Sequence, residues 1–295
     1  MMPKMAKHTA LTALMMLLAA ACGGADGAPT DATPEPQPQR PDVGKPDRVD
    51  VPSGGGTVRP SDDPRPASGV ELKLMVAPAQ HDLAERVLGL DWDAAEHREV
   101  SFYDDAARTL YGAGLILRAR DVKGDDDDST VKLRPFAREQ IDLPWFGEAG
   151  FKCELDRGIA SGSAAKTSCS LTVVQGEGEI ADVADGKRSI KKLFSSAQEA
   201  LVARYVSVDP WTLDLHPVGP VKVRRLRFEP SALGGATRVT VERWRLPDGQ
   251  QLIEISSKTD AASADALAAK LRAWLSALGI DVDAPGVGKT YEALF

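Results

Sequence analysis

From position 70 onward, apolar residues recur with two periods, one near two and one near 3.6, and each period predicts its own kind of element. The longer period predicts a helix over 190–205, where Leu193, Phe194, Ala197, Leu201 and Tyr205 share a face. A second helix follows over 263–278 through Leu267, Leu271, Trp274 and Leu278, and a shorter one over 81–88. The shorter period predicts strands over 70–76, 99–104, 114–121, 130–135, 151–155, 221–228, 237–245 and 251–256. Asp248-Gly249 marks a hairpin turn between the last two. The acidic run 125–128 lacks the spaced ligands and terminal glutamate of a calcium loop, so it reads as a solvated hairpin tip.

Upstream of position 69 the pattern changes. Lys4 and Lys7 precede an apolar run over 10–21 that is too short to span a bilayer and reads as an export signal. It ends in Leu18-Ala19-Ala20-Ala21-Cys22, which resembles the lipobox of bacterial lipoproteins, with Ala19 in place of the commoner leucine. Cys22 is then the lipidated first residue; the alternative is ordinary cleavage near Ala21 beside an incidental cysteine. Residues 23–68 are dominated by Pro, Gly, Asp and small side chains, with little to bury, and read as a disordered spacer. The expected organisation is a signal over 1–22, a linker over 23–68 and one folded domain over 69–295. The expected location is the bacterial cell envelope, periplasmic or surface side, with the membrane reached through the lipid anchor alone.

Composition agrees with a soluble globular domain, at 43% hydrophobic and 27% charged residues in 295. The formal net charge is −7, and more negative once Lys4 and Lys7 are removed, which argues against general nucleic-acid binding. An exported location permits disulfides, and only Cys153 and Cys169 remain to pair. A bridge is favoured; two free buried thiols are the alternative, and a zinc site lacks both spacing and a nearby histidine.

The arrangement of charge is more informative than its sum. Residues two apart on a strand project from one face, and charges here repeatedly share parity: Glu71 with Lys73, Arg118 with Arg120, Lys132 with Arg134, and Arg225 with Arg227. In 115–120 the odd positions are Leu115, Leu117 and Ala119, so that strand has one greasy and one cationic face. In an open sheet the cationic face simply meets water. In a closed sheet the basic faces converge on a lumen, where their repulsion calls for a polyanion or interleaved carboxylates, and phosphate suits the Arg forks and Lys point charges.

Ser101-Phe102-Tyr103-Asp104-Asp105, Leu110, Gly114, Leu117-Arg118-Ala119-Arg120 and Thr130-Val131-Lys132-Leu133-Arg134 follow one another in an order that resembles the CYTH, or triphosphate tunnel, family. Glu71-Leu72-Lys73-Leu74 resembles the second half of that family's opening E-x-E-x-K motif, and Lys289 matches a late lysine. The resemblance covers about 70–295. It implies an α+β fold, an antiparallel closed or nearly closed barrel of about eight strands with flanking helices. It also implies that Lys73, Arg118, Arg120, Lys132, Arg134, Arg225, Arg227 and Lys289 contact phosphate, while Glu71, Glu242 and Glu254 hold Mg²⁺ or Mn²⁺. No individual catalytic residue is assigned.

Two positions depart from the family pattern. Gly69 and Ser256 stand where carboxylates are expected, which weakens hard-cation binding; Glu154, in Phe151-Lys152-Cys153-Glu154, is a replacement candidate. The function implied is therefore binding of triphosphate, polyphosphate or a nucleotide, with metal-dependent hydrolysis where the carboxylates suffice. The alternatives are a phosphate-binding module without turnover and a structural envelope module that has lost its ligand. His81, His97 and His216 sit in unrelated contexts, and Gly286-Val287-Gly288-Lys289-Thr290 lacks the glycine spacing and long helix of a phosphate loop. A monomer with a polyanionic phosphate ligand is expected.

Overall fold

The computed structural model describes residues 65–66, 68–284, 286 and 288–295. The expected signal segment with Cys22, and the linker except Arg65, Pro66 and Ser68, lie outside the described residues. Among the described residues no helix is long and apolar enough to cross a membrane.

Nine strands close into a barrel: β1 (Gly69–Val76), β2 (Glu96–Asp104), β3 (Leu115–Val122), β4 (Asp128–Leu133), β5 (Phe151–Gly158), β6 (Ala165–Val174), β7 (His216–Phe228), β8 (Val239–Arg245) and β9 (Gln251–Thr259). Their order round the barrel is β1-β5-β6-β4-β3-β2-β7-β8-β9, and β9 pairs back onto β1. Eight of the nine pairings are antiparallel; β1 and β5 run parallel. That pair is free of the hairpin constraint, because two hairpins separate its members in the chain. The additional strand is β6, in which outward Cys169, Leu171 and Val173 alternate with inward Ser168, Ser170 and Thr172. Its polar side is too weakly marked by Ser and Thr to stand out from a loop.

Two apolar clusters cover much of the outside of the barrel. One joins Leu72, Leu74, Val239, Val241, Ile253 and Ile255 to α1 (His81–Leu88) and α5 (Ala264–Ala277), through Ala84, Leu267, Leu271 and Leu275. The other joins Leu115, Leu117, Val131, Leu133 and Leu171 to α3 (Glu179–Ala184) and α4 (Ser196–Tyr205), through Ile180, Val183, Leu201 and Val202. Cys153 and Cys169, directly opposite each other on β5 and β6, are disulfide-bonded within this second cluster. At about 25 cal/mol per Å² of apolar surface, these faces supply the stabilisation that a charged interior cannot.

A third apolar cluster lies inside. Val100, Phe102, Ile116, Val221, Val223, Trp244 and Leu252 meet Ala293 and Leu294 of α6 (Lys289–Leu294), filling one end of the barrel. Buried Asp104 holds the turn into α2 (Thr109–Gly112) by accepting from the amides of Asp105, Leu110 and Tyr111 at 2.8–3.0 Å. Arg108 on that turn donates to the carbonyl of Leu294 at 2.7 Å, which docks α6. Gly219 accommodates the register shift of β7 against Val100 and Phe102: its φ is 123°, and a Cβ there would lie 2.8 Å from the carbonyl oxygen of Val100.

Two sequence expectations need correction. The single helix over 190–205 is a 3₁₀ turn (Ile190–Leu193) followed by α4, because Ser195 and Gln198 form a capping box that starts a new helix. The acidic run does not end as solvated tip: Asp128 opens β4, is buried, and pairs with Arg120.

Gln198 is fully buried and does more than cap. Its amide nitrogen donates to the carbonyls of Ser129 and Leu171 at 3.2 and 3.1 Å, tying α4 to β4 and β6. Gln198→Ala should therefore cost about 2–3 kcal/mol from the lost cap and the unpartnered carbonyls. Urea unfolding checks this, and a midpoint equal to that of the parent would contradict it.

Candidate functional site

The alternation read along the strands is realised in the barrel. Even positions of β3 and β4 and odd positions of β1 face inward, so Lys73, Arg118, Arg120, Lys132 and Arg134 line one lumen of ≈260 Å³, together with Arg225 and Lys289. Glu71, Glu242 and Glu254 line it too. Arg227 does not: it stands exposed beyond the lining and shares Glu96 with Arg225, at 2.9 Å for its own contact.

Three cations of the lining lie outside the set that the sequence pattern predicts. Arg98 lies on a stretch of β2 before position 99, Lys258 lies beyond position 256, and Lys152 faces inward on β5. The same parity is legible in Lys152-x-Glu154-x-Asp156, because β5 continues past Leu155 to Gly158. Arg120, although expected, has an unexpected clamp, with Nε and Nη2 meeting the two oxygens of Asp128 at 3.0 and 2.6 Å.

Asp156 follows Glu154 by two residues on β5 and is the centre of the cationic wall. It is only 4% exposed, and it meets Lys73 Nζ at 2.8 Å, Arg134 Nη2 at 3.4 Å and Lys132 Nζ at 3.5 Å. Burial alone would push its carboxyl up, but Lys73, Lys132 and Arg134 together hold it well below the ordinary range. The contact of its Oδ1 with Lys73 is ionic rather than a well-directed hydrogen bond. Lys73 also meets Glu71 at 2.9 Å; burial works against its ammonium, yet Glu254, Glu71 and Asp156 raise its pKa.

Lys132 has weaker support, from Asp156 alone. Burial first, then Lys73, Arg134 and Arg118, outweigh Asp156 and push its pKa down to about 8. Arg118 is pulled down to about 10 by burial and by Arg120, and stays charged at neutral pH. Arg118 Nη2 donates to Thr130 at 3.1 Å, but the Nε atoms of Arg118 and Arg225 are buried with no partner among the described residues. Two guanidinium donors therefore remain unsatisfied, a costly state that an inward anion would relieve.

The carboxylate side is built round Lys289. Its ammonium bridges Glu242 and Glu254, the latter at 2.7 Å, and lies 5.0 Å over the ring of Trp244, which donates to Glu242 at 3.0 Å. Burial pushes Glu242 up, but Lys289 and Trp244 bring it down to about 2. Glu154 is shared between Lys152 at 2.9 Å and Lys258 at 2.7 Å. As arranged, every glutamate of the lumen faces an ammonium. Among the described residues no three His, Cys, Asp or Glu side chains gather to hold a metal ion. The donor set does not fit Mg²⁺ or Mn²⁺ while Lys289 stands between Glu242 and Glu254.

A protein from Bacillus halodurans provisionally assigned as an adenylate cyclase aligns with TM-score 0.51 and 11% identity over 77% of this chain and 97% of its own. A Hippeastrum protein, provisionally assigned as an adenylyl cyclase and described as having a dominant triphosphatase activity, aligns with TM-score 0.51 and 17% identity, over 75% and 92%. The fold is that of the CYTH, or triphosphate tunnel, barrels. No family model and no curated protein matches the sequence. Within this barrel, the positions Gly69 and Ser256 carry no carboxylate, and the cationic wall is compensated in part by Asp128, Asp156 and Glu154.

Lys132 gives the lumen a pH dependence. Raising pH through about 8 removes its charge, so affinity for an anion in the lumen should fall between pH 7 and 9. The same group acts oppositely on stability: the unfolded chain keeps its proton to a higher pH, so this contribution rises with pH between about 8 and the ordinary value of 10.5. Calorimetry with tripolyphosphate at both pH values checks the first effect, and Lys132→Met should flatten the profile.

Proposed function

We propose that the barrel binds a linear triphosphate or polyphosphate, or the triphosphate tail of a nucleotide, within its lumen. The observation that carries this reading is the charge balance: ten lysines and arginines line the lumen against four glutamates. Asp128 and Asp156 lower the excess and do not remove it. Such an excess of buried cations is stabilised by a flexible chain of negative oxygens, which touches several walls at once, better than by one carboxylate. Arg118 and Arg120 on β3, Lys132 on the adjacent β4 and Arg134 just beyond its end are the proposed primary contacts, with Lys73, Arg225 and Lys289 reaching from other walls.

Turnover is a second reading, favoured by one observation: Glu242 and Glu254 are direct cross-strand neighbours whose carboxylates already converge on a single cation. A divalent ion would have to displace Lys289 to use them, so this reading predicts phosphate release that depends on Mg²⁺ or Mn²⁺. Binding needs no such exchange. Phosphate release from tripolyphosphate with either metal, or with chelator, separates the two readings. Arg227 is left outside the contact set.

Arg120→Ala and Lys132→Ala should each weaken tripolyphosphate binding roughly tenfold or more, since a charge-assisted contact contributes about 1.5–3 kcal/mol. Lys192→Ala, on the exposed turn before α4, should leave affinity unchanged. Calorimetry decides, and parental affinity in both lumen variants would overturn the site.

The proposed setting is the cell envelope, with Cys22 lipidated. Cys22→Ser should move the protein from the membrane fraction to the soluble one and abolish the lipid mass on its N-terminus. A wild-type N-terminus without lipid would remove this proposal.

A further inference from the structure

The two outer apolar clusters leave a seam where β2, β7 and the end of β8 meet. There, outward residues are charged, and the cations of β7 and β8 stand together. Across the strands one row runs Asp121, Glu99, Lys222, Arg245, and the next runs His97, Arg224, Arg243, with Lys123 bonded through its amide to the carbonyl of His97. Asp121 and Glu99 lie on the β2–β3 side, with Lys123 beside them, while the β7–β8 side carries cations alone. Lys222 stands directly opposite Arg245, and Arg224 opposite Arg243. Like charges directly opposite on a sheet are destabilising, and an ordinary solvated face would interleave them with acids.

The cations are partly pre-arranged. Arg243 stacks at 4.4 Å over the ring of Trp92 and meets Glu85 at 3.4 Å, while Arg224 donates to the carbonyl of Trp92 at 2.8 Å. Trp92 therefore holds both guanidinium groups in place. Lys222 and Arg245 are exposed, and their side chains have no ion pair or hydrogen bond among the described residues, although Glu99 is directly opposite Lys222. The four enclose a cleft of ≈120 Å³, about four water volumes at roughly 30 Å³ each.

We propose that this outer cleft between β7 and β8 binds a phosphate monoester group, as a site separate from the lumen. Successive arginines of β7 serve opposite faces: Arg225 points into the lumen and Arg224 into the cleft. A tetrahedral dianion matches two fixed guanidinium forks flanked by two mobile cations, and it removes the repulsion of both opposed pairs. A monocarboxylate would relieve less of that charge. The same chemistry is offered by free phosphate and by a phosphomonoester lipid headgroup.

The test uses the purified protein and the exposed double variant Lys222→Ala/Arg245→Ala. Amide resonances of Lys222, Arg224, Arg243 and Arg245 are followed by NMR during titration with inorganic phosphate, against chloride at matched ionic strength. In parallel, both proteins are co-sedimented with phosphatidic acid vesicles. Phosphate-specific shifts at these four amides, with affinity reduced at least tenfold in the variant, support the site with free phosphate as a sufficient ligand. Variant-sensitive sedimentation without such shifts supports it with the lipid headgroup as the source. Response in neither arm, or responses that the variant leaves unchanged, overturns it. Tripolyphosphate affinity of the lumen should be the same in both proteins, so failure here and failure of the lumen reading are distinguishable.

Discussion

Everything in this barrel depends on keeping like charges close together inside a fold. Two cations about 4 Å apart repel by roughly 4 kcal/mol at an effective dielectric constant of 20. Lys73, Lys132 and Arg134 are tolerated because all three meet one carboxylate, Asp156, which is buried where it cannot be screened away by water. Asp128 does the same for Arg120, and Glu96 for Arg98, Arg225 and Arg227. The compensation is local and incomplete. The remaining repulsion is carried by the outer apolar clusters, whose helices hold the sheet closed from outside.

The sequence showed the half of this that is periodic. Parity along 115–120 and 130–134 assigned Arg118, Arg120, Lys132 and Arg134 to one side, and the barrel has them there. Parity could not show which acids would answer them, since Asp156 reaches Lys132 across β6 only when the sheet is closed in its actual order. The parallel pairing of β1 with β5 is likewise a long-range fact with no local signature. β6 has uncharged Ser168, Ser170 and Thr172 where other strands carry charge, which leaves little parity to read, and Ser195 divides the helix predicted over 190–205 within a continuous apolar stripe.

The glutamates show how the same residue types can serve different ends. Glu71, Glu242 and Glu254 were expected to hold a divalent ion, and they do lie in the lumen. With Gly69 and Ser256 contributing no carboxylate, each of the three that remain meets an ammonium, Glu71 that of Lys73 and the other two that of Lys289. Trp244 reinforces this, since its indole donates to Glu242 while its ring face receives the ammonium. Lys289 is thus a member of the lumen and a counterion to its acidic corner at once.

Lys289 also follows every strand in the order of synthesis. Until it is in place, Glu242 and Glu254 face each other across β8 and β9 with no ammonium between them, and the apolar end of the barrel lacks Ala293 and Leu294. The nine strands can pair before that moment, but neither the charge nor the packing of the lumen is finished. A nascent chain halted after α5 would carry an acidic gap and an exposed greasy rim, the features by which quality-control proteases and chaperones distinguish an unfinished product from a mature one.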